Sequence, residues 1–148
     1  MLRIAKLTDY AAVLLTRMAA DPRACASATE LAQAAGIEAP TAAKVLKTLA
    51  QAGLVESRRG ASGGYRLARE PAAITMADVV SAMEGPIGMT ECVVHEGACG
   101  HEGRCGVQAN WRRISLAVET ALRAVTLADM LPKPAPRRIP LRTLTADA

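Results

Sequence analysis

The sequence predicts a mainly α-helical protein: a winged helix-turn-helix with a β-hairpin wing, followed by a long C-terminal dimerisation helix. The chain of 148 residues is 51% hydrophobic but contains no Phe, one Trp and two Tyr, so small residues supply its core and favour helices. Two short helical patterns, separated by a glycine-containing turn, come directly before a glycine-rich hairpin pattern. A last helical pattern follows near the C-terminus.

The helix-turn-helix is expected between residues 8 and 52. Apolar residues at helical spacing predict a first helix over residues 8–20. Residues 27–30 read S-A-T-E, a capping box that predicts the start of a second helix, and Gly36 suits the position just after its end. Pro40 suits the first turn of a third helix, where its missing N–H costs nothing, and this helix is expected to run to about Ala52 with a core stripe of Ala42, Val45, Leu46 and Leu49.

The wing is expected where residues 54–58 and 65–68 pair as two strands around the tip R-G-A-S-G-G. A wing placed there can lie along the DNA backbone or in the minor groove while the third helix enters the major groove. This arrangement predicts double-stranded DNA as a partner, with Thr41 and Lys44 best placed for base edges. The residues expected to contact DNA are Thr41, Lys44, Lys47, Thr48, Arg58, Arg59, Gly60, Gly63, Gly64 and Arg66.

Charge and composition narrow the class of protein. Residues 1–70 carry ten Lys/Arg against six Asp/Glu, and residues 71–110 carry one against five, so the basic N-terminal half suits phosphate contacts. No apolar run is long enough for a membrane span, and the N-terminus lacks the apolar core of a signal peptide. We therefore expect a cytoplasmic protein with reduced thiols. No catalytic triad pattern or P-loop is present, so an enzyme is not expected.

Three cysteines at C-x6-C-x5-C spacing, Cys92, Cys99 and Cys105, lie in the loop expected over residues 86–106, after the winged-helix domain of residues 1–85. Thiols this close together are soft metal ligands and targets of oxidation. In a reducing compartment they indicate metal or redox chemistry more than disulfides. Three interpretations remain open: an iron–sulfur cluster, a zinc site with three Cys and one His, and a bare thiol sensor. Zinc sites often show a tighter C-x2–4-C pair, which this loop lacks.

The last helix is expected over residues 107–128, within a dimerisation segment of residues 107–130. Its apolar stripe extends beyond a small winged-helix core, so a second copy of the chain is the expected partner, and packing on its own domain is the alternative. A homodimer would read a pseudo-palindromic operator with two half-sites. The tail, residues 131–148, is rich in Pro, Arg and Lys and is expected to be disordered. The stripe also includes Val107 and Ala121, and its residues expected at the dimer interface are Trp111, Ile114, Val118, Leu122 and Val125.

The string G-L-V-E-S-R-R-G-A-S-G-G-Y-R-L-A at residues 53–68 resembles the wing of the Rrf-two family of bacterial winged-helix regulators. The opening L-T-D-Y-A and the three-cysteine loop before a Trp-containing helix resemble it too, so the likeness covers about residues 1–130. It implies a homodimer that binds a 2Fe–2S or 4Fe–4S cluster and changes its DNA affinity with cluster state. Within the family the chain is most similar to the regulators of SUF-type cluster assembly, which implies a repressor of assembly genes; a nitric-oxide-sensing repressor is the alternative.

The same resemblance implies the ligands. Cys92, Cys99 and Cys105 match the three thiolates of the family. The Isc-type regulator has a His three residues after the third Cys, where this chain has Gln108, a poor iron ligand. The nitric-oxide sensor is similar to this chain in an acid near the N-terminus, so Asp9 of the other subunit is the expected fourth ligand. An acid in the first turn of a helix is also favourable without any metal. The local competitors are Glu91, His95 and His101.

Overall fold

The computed structural model describes residues 3–132, so most of the tail expected to be disordered lies outside the described residues. The predicted fold class is confirmed: a mainly helical chain with one two-stranded antiparallel hairpin. None of the helices in the described part of the chain has both the length and the hydropathy needed to cross a membrane. The elements are α1 Lys6–Ala19, α2 Ala28–Ala35, α3 Ala39–Gln51, β1 Val55–Arg58, β2 Gly64–Leu67, a 3₁₀ turn Pro71–Ala73, α4 Met76–Glu84, α5 Glu91–Val94, a 3₁₀ turn Glu102–Arg104 and α6 Gln108–Arg123.

The core lies where α1 packs against α2, α3 and α4. The stripe predicted for α3 is fully buried, which confirms the sequence-based placement of this helix. Burial of one such aliphatic side chain is worth about 1.5–3 kcal/mol, so this stripe alone fixes which face of α3 points outward. The largest fully buried side chains are Leu14, Leu15, Val45, Leu46, Leu49, Leu54, Ile74, Val79 and Leu127.

Local signals set the ends of α2 as predicted. The Ser27 hydroxyl accepts a hydrogen bond from the Glu30 amide at 3.2 Å, and the Glu30 carboxylate accepts one from the Ser27 amide at 2.7 Å. Gly36 ends the helix in the left-handed conformation, with φ of 66°. A second capping box, between Thr75 and Asp78, starts α4. Each box satisfies backbone N–H groups that a helix start leaves unpaired.

The wing strands pair in the register Val55–Leu67 to Arg58–Gly64. The wing is also attached to the segment before α2, because Ala26 and Tyr65 exchange two backbone hydrogen bonds of 3.1 and 2.7 Å. This bridge holds the hairpin against the helix-turn-helix, so the wing has a fixed position relative to α3.

The last helix is shorter than the sequence predicts. It ends at Arg123 rather than near residue 128, so it is about 24 Å long instead of about 33 Å. The chain then turns back: the Leu127 amide donates to the Ile74 carbonyl at 2.8 Å, and the Leu127 side chain is fully buried. Burial of Leu127 is favoured over continuation of the helix, and Val125 therefore lies beyond the end of α6.

Two contacts connect the start of the cysteine segment to the rest of the fold. Glu84, the last residue of α4, accepts hydrogen bonds from the Ala5 amide at 3.0 Å and from the Thr8 hydroxyl at 2.6 Å. The carboxylate therefore caps the N-terminus of α1, where a negative charge is favourable. A few residues later, the Met89 amide donates to the hydroxyl of Ser115 on α6 at 3.0 Å.

Candidate nucleic-acid interface and cysteine segment

The outward face of α3 carries the residues predicted to read DNA. Lys44 and Lys47 are exposed, whereas Thr41 and Thr48 are half-buried. The Thr48 hydroxyl donates to the Lys44 carbonyl at 3.2 Å, so part of its hydrogen-bonding capacity is used within the helix. Of the four α3 residues predicted to contact DNA, the two lysines are therefore the freest to reach it.

Lys6, at the start of α1, is a cation that the sequence reasoning missed. It belongs to a cavity of about 460 Å³ that is also lined by Glu38 and Thr41, next to the start of α3. Its ammonium lies 5.3 Å from the centre of the Tyr10 ring. A hydrogen bond with the Tyr10 side chain raises the pKa of Lys6 above its ordinary value of 10.5. The side chain is thus a permanent cation on the α3 side, and only the tertiary contact between α1 and α3 reveals this.

The wing arginines predicted to contact DNA differ in whether their charge is free or paired. Arg58 and Arg59 are exposed at the end of β1. Arg66, by contrast, forms a cross-strand ion pair with Glu56, with two of its nitrogens 2.9 and 2.7 Å from the same carboxylate oxygen. An exposed pair of this kind adds little stability, about 0.2–1 kcal/mol, but it offsets the charge that Arg66 would present to a phosphate.

The wing glycines also differ. A Cβ at Gly63 would lie 2.4 Å from the Arg58 carbonyl oxygen, and a Cβ at Gly64 would lie 2.4 Å from the Ala26 carbonyl oxygen. Gly60 has a φ of 115°, and a Cβ there meets no described atom within 4 Å. Gly63 and Gly64 are therefore required by the fold of the hairpin, while Gly60 leaves its backbone open to a ligand.

The three cysteines of residues 86–106 lie in different local environments. Cys92 is on α5 and only 7% exposed, with its Sγ 3.3 Å from the Thr90 hydroxyl. Cys99 and Cys105 are partly exposed on either side of the second 3₁₀ turn. Each of the four cysteines within residues 3–132 is a free thiol. Because α5 packs on α6, the position of Cys92 is coupled to the last helix.

The thiols are not gathered around a common point. As the side chains of residues 3–132 stand, no three His, Cys, Asp or Glu residues are close enough together to hold a metal ion. Asp9 is exposed and lines a groove of about 910 Å³ with Thr8 and Glu84, and none of the cysteines is among the described residues of that groove. The competitors Glu91, His95 and His101 are exposed as well. The predicted ligand set remains a prediction.

One carboxylate of this segment has an oxygen without a hydrogen-bond partner in the described part of the chain. Glu102 accepts a hydrogen bond from the Gly97 amide at 2.9 Å through its Oε2 atom. Its Oε1 atom is buried and has no hydrogen-bond partner among residues 3–132. A buried carboxylate oxygen is costly unless a donor or a cation reaches it, and this one lies in the same segment of the chain as the three cysteines. The sequence reasoning considered Glu91, His95 and His101 here and missed Glu102.

Large apolar side chains are exposed on two sides of α6. Ile114, 44% exposed, and Trp111 lie on one side, and Leu116, 63% exposed, lies about 160° around the helix from Ile114. The predicted stripe divides at its end, since Leu122 packs against the core of its own chain and Val125 follows the helix. Three large apolar side chains on one short helix are more than a monomer surface usually leaves open.

The α3 face, the wing beside it and the cation at Lys6 define a winged helix-turn-helix DNA-binding regulator. Residues 4–133 match the model of the Rrf2 family, described as an iron-dependent transcriptional regulator. The chain belongs to the Rrf2 family of transcriptional regulators, as the sequence predicted, and the family is one of DNA-binding regulators and not of enzymes.

Three relatives illustrate the range of the family. Protein aau3 of Rhizobium meliloti is 35% identical over 131 residues, which cover 88% of this chain and 85% of that protein. The structure of CymR, the global cysteine regulator of B. subtilis, is 33% identical with a TM-score of 0.68, covering 88% of this chain and 96% of that one. The structure of T. potens IscR is 28% identical with a TM-score of 0.66, covering 87% and 85%.

Proposed function

We propose that this regulator holds an iron–sulfur cluster on Cys92, Cys99 and Cys105 and that it represses iron–sulfur cluster assembly genes according to cluster state. The observation that carries the proposal is the set of three free thiols, with an unpartnered buried carboxylate oxygen, on a segment that begins at α4 and ends at α6. The iron-dependent character of the family and the similarity to IscR support it. When bound, the cluster would supply a centre that responds to oxidation, nitric oxide or iron shortage.

The proposed DNA contacts follow from the positive charges on α3 and on the wing. Lys44 and Lys47 on α3 would enter the major groove, and Arg58 and Arg59 would bind phosphates or the minor groove beside Gly60. Thr41 would reach base edges from the first turns of α3. Lys6 adds a phosphate contact next to the helix start, and Arg66 contributes less because Glu56 neutralises it.

The wing assignment predicts different effects for two neighbouring arginines. Arg59→Ala should weaken binding to all DNA sequences alike and reduce the slope of log affinity against log salt by about 1, because one phosphate contact is lost. Arg66→Ala, the control with the same loss of charge, should change the slope less. Fluorescence anisotropy with a labelled duplex over a salt series measures both. An equal reduction for the two variants would contradict the role of the Arg66–Glu56 pair.

The apolar face of α6 supports a homodimer as the DNA-binding unit. Two copies related by a two-fold axis would cover Trp111 and Ile114 and would place two α3 helices on successive half-sites of a pseudo-palindromic operator. In a dimer, Asp9 of one subunit is available to the cysteine segment of the other, which is the arrangement that the family resemblance implies for the fourth ligand.

The function is tested by purifying the protein without oxygen and counting iron and sulfide per chain. We expect a brown protein whose visible absorption disappears in the Cys92→Ala, Cys99→Ala and Cys105→Ala variants. Cys25→Ala, which removes the one cysteine outside the segment, is the matched control and should keep the colour. Loaded and cluster-free protein should then differ in affinity for duplexes selected from fragments of the source genome.

Other outcomes of this experiment identify the alternatives. Zinc without iron would indicate a zinc-stabilised DNA-binding module. A colourless protein whose DNA affinity changes with thiol oxidation would indicate a bare thiol sensor. Loss of DNA affinity on exposure to nitric oxide, with no response to iron supply, would favour a nitric-oxide-sensing repressor. The proposal is wrong if iron-free protein binds DNA identically with and without its three cysteines.

A further inference from the structure

We infer that Glu38, the residue before α3, determines sequence specificity by accepting a hydrogen bond from the N4 amino group of a cytosine in the major groove. The inference deepens the proposed DNA contacts and rests on α3 being the helix that enters that groove. Three observations carry it: the place of Glu38 at the start of α3, its unused carboxylate, and the cavity that it lines with Lys6 and Thr41.

Glu38 lies at the end of α3 that a helix-turn-helix presents to bases. It is the N-cap residue of the helix, with an extended backbone, and its side chain is exposed. In this motif the first residues of the second helix are the ones that contact base edges. Thr41, which is expected to reach base edges, is one turn further along and lines the same cavity as Glu38. Glu38 is therefore placed to contact a base next to the one that Thr41 would contact.

The Glu38 carboxylate is free to accept hydrogen bonds. It makes no side-chain cap hydrogen bond to α3, and within residues 3–132 it takes part in no ion pair. The two capped helices differ in this respect, because Glu30 of α2 and Asp78 of α4 accept hydrogen bonds from their N-cap residues. A carboxylate near the start of a helix is favourable on its own, but at the start of a DNA-reading helix it also meets the edges of the bases.

The chemistry of the major groove selects one base for such a carboxylate. Guanine presents two acceptors there, and thymine presents an acceptor and a methyl group, so both repel or fail to satisfy a carboxylate. Adenine presents a donor with an acceptor beside it. Cytosine alone presents an amino donor without a neighbouring acceptor, and it is the base with which Glu and Asp pair. An unpaired carboxylate on this surface therefore favours cytosine and disfavours the other three bases.

Lys6 explains how a negative charge is tolerated so close to the DNA backbone. Its ammonium lies 5.3 Å from the centre of the Tyr10 ring and lines the same cavity as Glu38. A hydrogen bond with Tyr10 raises the pKa of Lys6, and the charge of Glu38 raises it further, so the two charges interact without forming an ion pair. A cation here binds a phosphate and offsets the repulsion between that backbone and the carboxylate.

The test selects duplexes from a library with a randomised central region and sequences those that are enriched. The full chain, purified without oxygen, is compared with Glu38→Ala and Glu38→Gln. Glu70→Ala is the matched control, because Glu70 is also exposed and also precedes a helical turn without a side-chain cap hydrogen bond, but follows the wing. Fluorescence anisotropy then measures the affinity of each protein for the preferred duplex and for duplexes changed at single base pairs.

We expect the unmodified protein and Glu70→Ala to prefer cytosine at one position of each half-site by about fivefold or more, the lower range for a single mismatch. Glu38→Ala should reduce this preference to less than about twofold while the other positions keep theirs, because only one base contact is lost. Glu38→Gln should move the preference toward adenine, since an amide side chain pairs with both N6 and N7 of that base. A residue that only stabilised α3 would change no base preference.

The inference is overturned if Glu38→Ala keeps the base preference at every position, or if the preference that it loses is for a base other than cytosine. Both results leave the other DNA contacts standing, since Lys6→Met tests the phosphate contact separately: it keeps an apolar stem beside Tyr10 and should weaken binding to all duplexes alike. An unmodified protein without any base preference overturns the assignment of α3 as the reading helix and the inference together. None of these outcomes bears on the iron and sulfide counts that test the cluster.

Discussion

Gly64 shows how one residue without a side chain attaches the wing to the helix-turn-helix. Its φ is 146°, and an added Cβ would lie 2.4 Å from the Ala26 carbonyl oxygen and 2.9 Å from the Ser27 amide nitrogen. These atoms belong to the backbone and cannot rotate away. The close approach permits the Ala26–Tyr65 bridge, and a second hairpin glycine, Gly63, is similarly crowded by the Arg58 carbonyl.

We predict that Gly64→Ala lowers the free energy of unfolding by about 3 kcal/mol, because backbone strain and a backbone clash add together. Gly60→Ala is the control in the same hairpin. It also has a positive φ but meets no described atom within 4 Å, so it should cost only about 1–2 kcal/mol. Urea unfolding followed by circular dichroism measures both. Equal losses would show that strain alone acts at Gly64 and that the bridge is not affected.

Among the elements, α2 has ends that are determined almost entirely by local chemistry. The hydrogen bond with the Ser27 side chain and the one from its backbone amide lower the pKa of the Glu30 carboxyl below its ordinary value of 4.5. A carboxyl whose pKa is lower in the folded state stabilises the fold when it is ionised. The contribution is present above pH 4.5 and is lost as the pH falls below that value through the lowered pKa of the folded state.

We predict that Glu30→Gln reduces stability near pH 7 and that the difference from the unmodified protein shrinks as the pH falls below 4.5. Glu38 provides the comparison, because it precedes α3 and, within residues 3–132, makes no side-chain cap hydrogen bond, so Glu38→Gln removes a carboxylate without removing a cap. Unfolding free energies measured between pH 7 and pH 3 test this. A Glu30→Gln difference that stays constant through the acid range would refute the capping role of the ionised carboxylate.

The elements also show what sequence could and could not predict. The cap of α2, the Gly36 terminus and the α3 stripe were predictable because each depends on residues within one or two turns of each other. The end of α6 was not, since its periodicity continues past Arg123 and only the burial of Leu127 in the distant core ends the helix. For the same reason the orientation of Glu102 and the position of Lys6 beside α3 could not be predicted. They depend on contacts between segments far apart in the chain or on a loop conformation.

At the scale of the whole molecule, the exposed apolar side chains of α6 are the surface through which two copies of the chain are proposed to associate. We predict that Ile114→Asp converts the proposed dimer to a monomer, because a charge would be buried in an apolar interface. Ala109→Asp is the control: it lies about 140° around the helix from Ile114, and an acid near the helix start is favourable. Sedimentation velocity measures the mass of each variant. A monomeric unmodified protein, or a dimer that persists in Ile114→Asp, would exclude this face as the interface.

The second whole-molecule connection runs through Glu84, which lies between the cysteine segment and α1. Its carboxylate accepts hydrogen bonds from the Ala5 amide and the buried Thr8 hydroxyl. Helix α1 in turn packs on α2 and α3, the two helices of the helix-turn-helix. This carboxylate therefore provides a direct contact between the end of α4, where the segment begins, and the helix that packs on α2 and α3. Glu84 and Thr8 line the groove that also contains Asp9. A second subunit that bound at Asp9 would therefore lie next to the Glu84–Thr8 hydrogen bond.

We predict that Glu84→Ala lowers the unfolding free energy by about 3 kcal/mol, the lower end expected for two lost hydrogen bonds to a charged group, and leaves cluster loading intact. It should also bring the DNA affinities of loaded and cluster-free protein closer together, because α1 no longer follows the segment. Glu84→Gln keeps an acceptor for Ala5 and Thr8 and should retain most of the affinity difference. Hydrogen exchange at the first turn of α1, together with DNA titrations of both forms, measures the effects. If Glu84→Ala retains the full difference between loaded and cluster-free protein, the signal reaches α3 by another route, and the contact of α5 with α6 becomes the candidate.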